Sequence, residues 1–229
     1  MQTIGSRLAE VRDRIAAAAL RARRDLASIR LIAVSKTFSI DEIRQAYDAG
    51  QRDFGENRVQ ELQEKAGTAS DLDIQWHLIG HLQSNKAKKA VADANLIHSI
   101  DSVALLQRVE AAADAAGKTV RLLVQTDLAA ETTKHGAPTD QLAELFAAAQ
   151  RCRAARVIGL MLLPPLADNP EQARDWFRQL RSQRDRLLEQ GVPSSLLAEL
   201  SMGMSHDFEV AIEEGATMVR VGSAIFGRR

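Results

Sequence analysis

Apolar residues recur every three or four positions at the start of the chain, at Ile4, Leu8, Val11, Ile15 and Ala18 or Ala19, among Arg, Glu and Asp. That period predicts an amphipathic helix, within residues 1–27, with one face packed on the rest of the protein. After Ser28 the rhythm changes. Short apolar runs predict strands at 31–34, 53–55, 74–79, 96–100, 120–125, 157–162, 196–200 and 218–221. Longer segments of helical period predict helices such as 41–49, 102–115, 139–151, 170–190 and 207–214, several opened by a Ser, Thr or Asp cap and closed at Gly50, Gly117, Gly191 or Gly215. Strands that alternate with helices pair in parallel, and eight of them close into a (β/α)8 TIM-type barrel with no free edge. An open doubly wound sheet is the weaker alternative, because no G-x-G-x-x-G follows the first strand. The expected fold is therefore a single α/β barrel domain over residues 1–229, with functional residues just after the strand ends.

Composition narrows the function. With 30 Lys plus Arg against 30 Asp plus Glu the net charge is zero, which gives no electrostatic case for nucleic acid or an anionic membrane surface. Cys152 is the only cysteine, so an intramolecular disulfide and a thiolate zinc site are excluded and a reducing compartment is expected. The first 26 residues are too densely charged for a signal peptide, and no apolar run approaches the ~20 residues a membrane span needs. These readings predict a cytoplasmic protein.

The first strand runs into Ser35-Lys36-Thr37, and strand alternation puts Lys36 on the face of Ile32 and Val34, at the strand end. A hydrophobic floor would disfavour its ammonium form, and such an amine can form a Schiff base. A solvated lysine that opens a loop is the plainer reading. The last predicted strand runs into Gly222-Ser223, and the seventh into Ser201-Met202-Gly203-Met204-Ser205. Glycine loops after the seventh and eighth strands are where barrels often hold a phosphate on backbone amides. Around a closed barrel these loops neighbour Lys36. A ligand with both an aldehyde and a phosphate would bridge them; pyridoxal 5′-phosphate fits, and so does a phosphosugar.

The strings Ala33-Val-Ser-Lys36-Thr, Phe54-Gly-Glu-Asn57, Trp76-His-Leu-Ile-Gly-His-Leu-Gln-Ser-Asn-Lys86, Gly159-Leu-Met161, Leu200-Ser-Met-Gly-Met-Ser205 and the segment from Arg220 to Gly227 resemble the pyridoxal phosphate homeostasis protein family, single-domain relatives of the N-terminal barrel of alanine racemase. The resemblance covers nearly the whole chain. It implies that Lys36 carries pyridoxal 5′-phosphate as an internal aldimine and that Asn57 lies near the ring. It also implies that Ser201, Met204 and Ser205, with the Gly222 and Ser223 amides, surround the phosphate, and that Arg220 approaches the pyridine nitrogen. A permanently charged guanidinium there would disfavour protonation of that nitrogen and weaken the cofactor as an electron sink. The function implied is intracellular cofactor homeostasis and delivery to apo-enzymes, by a monomer with little or no catalysis. One departure is His81, which stands where the family has proline.

Other readings compete. A racemase on the same scaffold needs acid/base groups on both faces of its substrate, and the only tyrosine, Tyr47, follows Ile40, Ile43 and Ala46 at helical spacing, which turns it toward helix packing. A Schiff-base aldolase would carry its lysine on a central strand, and 157–162 contains none. His77 and His81 straddle a strand end without H-E-x-x-H, so no metal site is expected and His77 is read as packed or hydrogen-bonded beneath the ligand. Glu56 is read either as pocket lining or as a helix cap. Lys86, Lys88 and Lys89 read as a solvated helix face, and Lys134 as a surface lysine.

Overall fold

The computed structural model describes residues 2–128, 135–165 and 168–227. Eight parallel strands form the wall: β1 Arg30–Val34, β2 Asp53–Glu56, β3 Gln75–Leu78, β4 Leu96–Ile100, β5 Val120–Asp127, β6 Ala155–Met161, β7 Glu199–Met204 and β8 Met218–Val221. Each pairs with its sequence neighbour, and β8 returns to β1, with Ile32 opposite Arg220 and Ala33 opposite Val221. The sheet is a closed barrel, as the alternating pattern predicts. A two-residue strand, Ala137–Pro138, pairs in parallel with the end of β5 at Thr126 and Asp127. The helices are α1 Ile4–Arg21, α2 Ile40–Asp48, α3 Val59–Thr68, α4 Ala87–Asp93, α5 Val103–Ala115, α6 Leu142–Ala149, α7 Arg174–Glu189, α8 Phe208–Glu213 and α9 Ser223–Phe226.

Two hydrophobic clusters divide the burial. The larger lies between strands and helices and takes in Phe54, Leu62, Leu106, Phe146, Phe177 and Phe208. The smaller, Ile32, Leu96, Leu123, Met161 and Met218, sits inside the barrel. Helix α1 buries the six positions its period picks out, and at about 1.5–3 kcal/mol per fully buried aliphatic side chain that stripe anchors it firmly. Polar clamps fix where it lies: Arg7 donates to the carbonyls of Ile225 (2.6 Å) and Phe226 (3.2 Å), and Arg24 to those of Ile212 (2.9 Å) and Ala216 (2.7 Å). The first helix thus braces α8 and α9, the elements behind the last two strand ends. No helix among the described residues is long and apolar enough to cross a membrane.

One predicted boundary is corrected. The seventh strand is 199–204, not 196–200, and residues 194–196 form a short 3-10 turn. Ser201 and Gly203 make the segment read as a loop, yet both lie on the strand. Gly203 has φ +90°, and a Cβ there would stand 2.6 Å from the Ala211 Cβ, so the strand end and α8 meet only across glycine. Lys134 lies outside the described residues.

Candidate functional site

The end of β1 is held by a cluster that the hydrophobic pattern does not reveal. Lys65, on α3, turns inward and donates to the Ser35 carbonyl (2.7 Å), to Glu56 Oε1 (2.9 Å) and to Glu61 Oε1 (2.7 Å). The Ser35 hydroxyl donates to the same Glu56 oxygen at 2.6 Å, and the Thr37 amide donates to Glu61. Burial pushes the Glu56 carboxyl up to about 7, against the pull of Lys65 and Ser35. Burial also acts to raise Glu61, but Lys65 and the Thr37 amide bring it below the usual carboxylate range. Glu56 therefore joins this buried cluster rather than capping a helix. Between Ser35 and Thr37, Lys36 projects from the end of the strand and is exposed. Ile32 and Val34 lie buried below it without enclosing it, which corrects the expected hydrophobic floor.

The loop after β1 meets the last turn of the chain. Phe38 stacks on Phe226 with ring centroids 4.8 Å apart, and a Cβ on Gly222 would lie 3.2 Å from the Val34 carbonyl oxygen. On the other side of Gly222, its amide and that of Ala224 both donate to the Ser205 hydroxyl oxygen, at 3.0 and 3.5 Å. An oxygen atom already sits between two converging backbone donors, the chemistry a phosphate oxygen requires. Ser223 lies between them and is exposed. Below, Asp207 Oδ1 accepts from the Met204 amide at 2.6 Å and fixes the turn. Lys36, Ser205, Gly222 and Ser223 thus occupy adjoining loops at one mouth of the barrel. Met204 pairs in register with Arg220 just beneath. Asn57, half-buried, follows β2 and lines a cavity of about 450 Å³ with His81 and Lys86. Its carbonyl would be 2.2 Å from a Cβ at Gly80.

Arg220 and Ser201 sit lower, inside the barrel. Arg220 is 3 % exposed; it donates to Ser201 Oγ at 2.6 Å and to the Leu162 carbonyl at 2.8 Å. Burial pulls its guanidinium down to about 10, while Asp207 acts in the opposite sense. The Ser201 hydroxyl also contacts His98 Nδ1 at 3.0 Å. Its hydrogen bonds therefore go to the arginine and to a histidine, not to a phosphate loop. His98 Nε2 lies 2.9 Å from His77 Nδ1, and His77 Nε2 lies 3.0 Å from Asp53 Oδ1. Burial holds both imidazoles below the ordinary histidine range. Sequence reading singles out His77 as a packed or hydrogen-bonded side chain but misses its partners His98 and Asp53. Their signal is a polar side chain on an otherwise apolar strand, which the strand-length argument passes over.

His81 points elsewhere. Its ring stacks on that of His135 at 3.6 Å between centroids, and Nδ1 lies 3.6 Å from Asp101 Oδ2. His81, Asp101 and His135 are close enough to offer three ligand atoms to a metal, but the near-parallel rings, 11° apart, do not aim their lone pairs at one point. Tyr47 is at the opposite end of the barrel, where its hydroxyl accepts from the Asp73 amide at 3.3 Å and its ring lies under Arg52.

Residues 8–229 match the family described as alanine racemase, N-terminal domain. The pyridoxal phosphate homeostasis protein of Aquifex aeolicus is 43% identical over 223 residues, covering 97% of each chain. The structure of PipY from Synechococcus elongatus with PLP bound superposes with a TM-score of 0.85 at 40% identity, covering 98% of this chain and 100% of that one. Alanine racemase of Clostridium difficile shares the fold, with a TM-score of 0.70 at 14% identity over 95% of this chain and 57% of its own.

Proposed function

This chain belongs to the pyridoxal phosphate homeostasis protein family, and we propose that it binds pyridoxal 5′-phosphate at the barrel mouth, holds it through Lys36, and passes it to apo-enzymes while catalysing little itself. The observation that carries this is the pair of Gly222 and Ala224 amides converging on the Ser205 oxygen, in a loop that adjoins the end of β1 and its exposed lysine. A phosphate would take the place of that hydroxyl oxygen and keep Ser205 as a further donor. When bound, the cofactor would supply an aldehyde, and the Lys36 amine is the residue that would hold it there. Arg220 would present a positive charge toward the ring nitrogen, and Asn57 would line the same mouth.

Two features support weak catalysis. A guanidinium facing the ring nitrogen would disfavour its protonation and reduce electron withdrawal. The only tyrosine is at the far end of the barrel, where it cannot serve a substrate at the mouth. We further propose a cytoplasmic monomer, in keeping with a single half-buried thiol at Cys152 and a charge-balanced chain.

Incubation with pyridoxal 5′-phosphate should give a yellow protein. Borohydride should fix one cofactor mass on the Lys36 peptide, and Lys36→Ala should lose the visible band. A band that persists in Lys36→Ala, or label on another peptide, overturns the assignment.

A further inference from the structure

Five side chains form one continuous hydrogen-bonded path across the barrel, from Arg220 on β8 through Ser201 on β7, His98 on β4 and His77 on β3 to Asp53 on β2. Arg220, Ser201, His98 and His77 are buried. Asp53 is the first residue of its strand and pairs loosely with Arg30 (3.8 Å) at the N-terminal end of the barrel, opposite the mouth. The ends set the direction. A carboxylate only accepts, so His77 presents Nε2–H to Asp53; a neutral imidazole then accepts at Nδ1, so His98 presents Nε2–H to His77. His98 Nδ1 must in turn accept from the Ser201 hydroxyl, whose oxygen accepts from Arg220. Every donor points toward Asp53. No other arrangement satisfies all four contacts with both rings neutral.

We propose that Asp53, His77 and His98 are positioning residues for Arg220, a one-way chain through which a carboxylate at the closed end of the barrel sets the orientation and field of the guanidinium facing the cofactor ring. The proposal rests on the cofactor reading above. Arg220 spends its two hydrogen bonds on neutral oxygens, and in a low-dielectric interior a chain of bonds polarises along its length. The 2.6 Å contact from Arg220 to Ser201 is the short end of such a chain. Arg30 and Arg121 also face the two histidines, and Asp207 faces Arg220, so the field at the ring is the sum of these charges. Asp53 is the one that reaches it through bonded atoms.

Two measurements test this. In the cofactor-free protein, nitrogen-15 NMR should find His77 and His98 both neutral and both protonated at Nε2; an Nδ1–H tautomer or an imidazolium at either position overturns the chain. In the cofactor-loaded protein, Asp53→Asn removes the terminal negative charge and leaves an acceptor of the same shape. The pH at which the visible band titrates should fall by about half a unit, because a cationic imine loses a stabilising anion, with cofactor stoichiometry unchanged. A titration superimposable on the unsubstituted protein overturns the proposal. Ser201→Ala cuts the path beside Arg220 and should move the band the same way, which keeps the test should Asp53→Asn fail to fold. If the unsubstituted protein takes up no cofactor, the functional reading fails while the tautomers still decide the chain.

Discussion

Two buried polar clusters lie within one barrel and are built on opposite principles. Beneath Lys36, Lys65 is packed directly against Glu56 and Glu61, so one ammonium meets two carboxyl groups at salt-bridge distance and the cluster holds the loop through the Ser35 carbonyl and the Thr37 amide. Across the lumen, Arg220 and Asp53 are kept apart by a serine and two neutral imidazoles. The first arrangement is compact and anchors backbone; the second is extended and, on the proposal above, transmits a field. Under the proposed function, direct pairing would suit a loop that holds Lys36 in place. Under the same reading, a relay would suit a charge that is presented to a ligand without being neutralised.

The sharpest way to break the contrast is to remove the one cation of the compact cluster. Lys65→Met leaves two carboxylates facing a backbone carbonyl, and stripping one partner from a buried ion pair costs about 3–5 kcal/mol. Urea unfolding should show that loss, and the double variant Lys65→Met, Glu56→Gln should recover part of it. A single variant within about 1 kcal/mol of the unsubstituted protein would mean the cluster is solvated.

The clusters should also answer pH with opposite signs. Glu56 is raised to about 7 from its ordinary 4.5, so between those values the folded state holds a proton the unfolded chain has released. Its contribution is complete below the lower value and is lost as pH rises through the upper one, by at most about 3 kcal/mol. His77 and His98 are shifted downward, so their contribution is present above the ordinary 6.5 and lost as pH falls below it. In the unsubstituted protein the two slopes oppose each other between pH 5 and 7. Glu56→Gln should unmask the histidine slope, with stability rising toward pH 6.5; a profile parallel to that of the unsubstituted protein would remove Glu56 from the account.

The sequence makes the outer shell legible and the two clusters largely illegible, for a physical reason. Periodicity reports which residues face a large apolar surface, so α1 and seven of the strand positions are readable, and the glycine loops at the last two strands follow from barrel geometry. Inside the barrel a polar side chain is stable only because a partner from another strand reaches it. Ser201 meets His98 across 103 positions of sequence, and no local pattern encodes that. Lys65 defeats the same logic: on α3 it is buried with Val59 and Leu62, although a lysine by residue type belongs in solvent. Ser201 and Gly203 therefore read as loop, although their strand continues to Met204.

The finest distinction concerns what the compact cluster grips. Thr37 has φ +69°, a left-handed conformation that costs a β-branched residue of order 1–2 kcal/mol. The cluster holds it through its amide, which donates to Glu61, and glycine keeps that amide. Thr37→Gly relieves the backbone but loosens the unfolded chain by about 0.5–1 kcal/mol, so the two effects should nearly cancel and leave stability within about 1 kcal/mol. Thr37→Pro removes the donor and fixes φ on the wrong side; it should destabilise the protein by several times as much, as measured in parallel urea curves. A glycine variant as damaged as the proline one would show that the threonine hydroxyl, which donates to the Lys36 carbonyl, carries the grip. The compact cluster would then depend on a side chain beside Lys36 rather than on backbone alone.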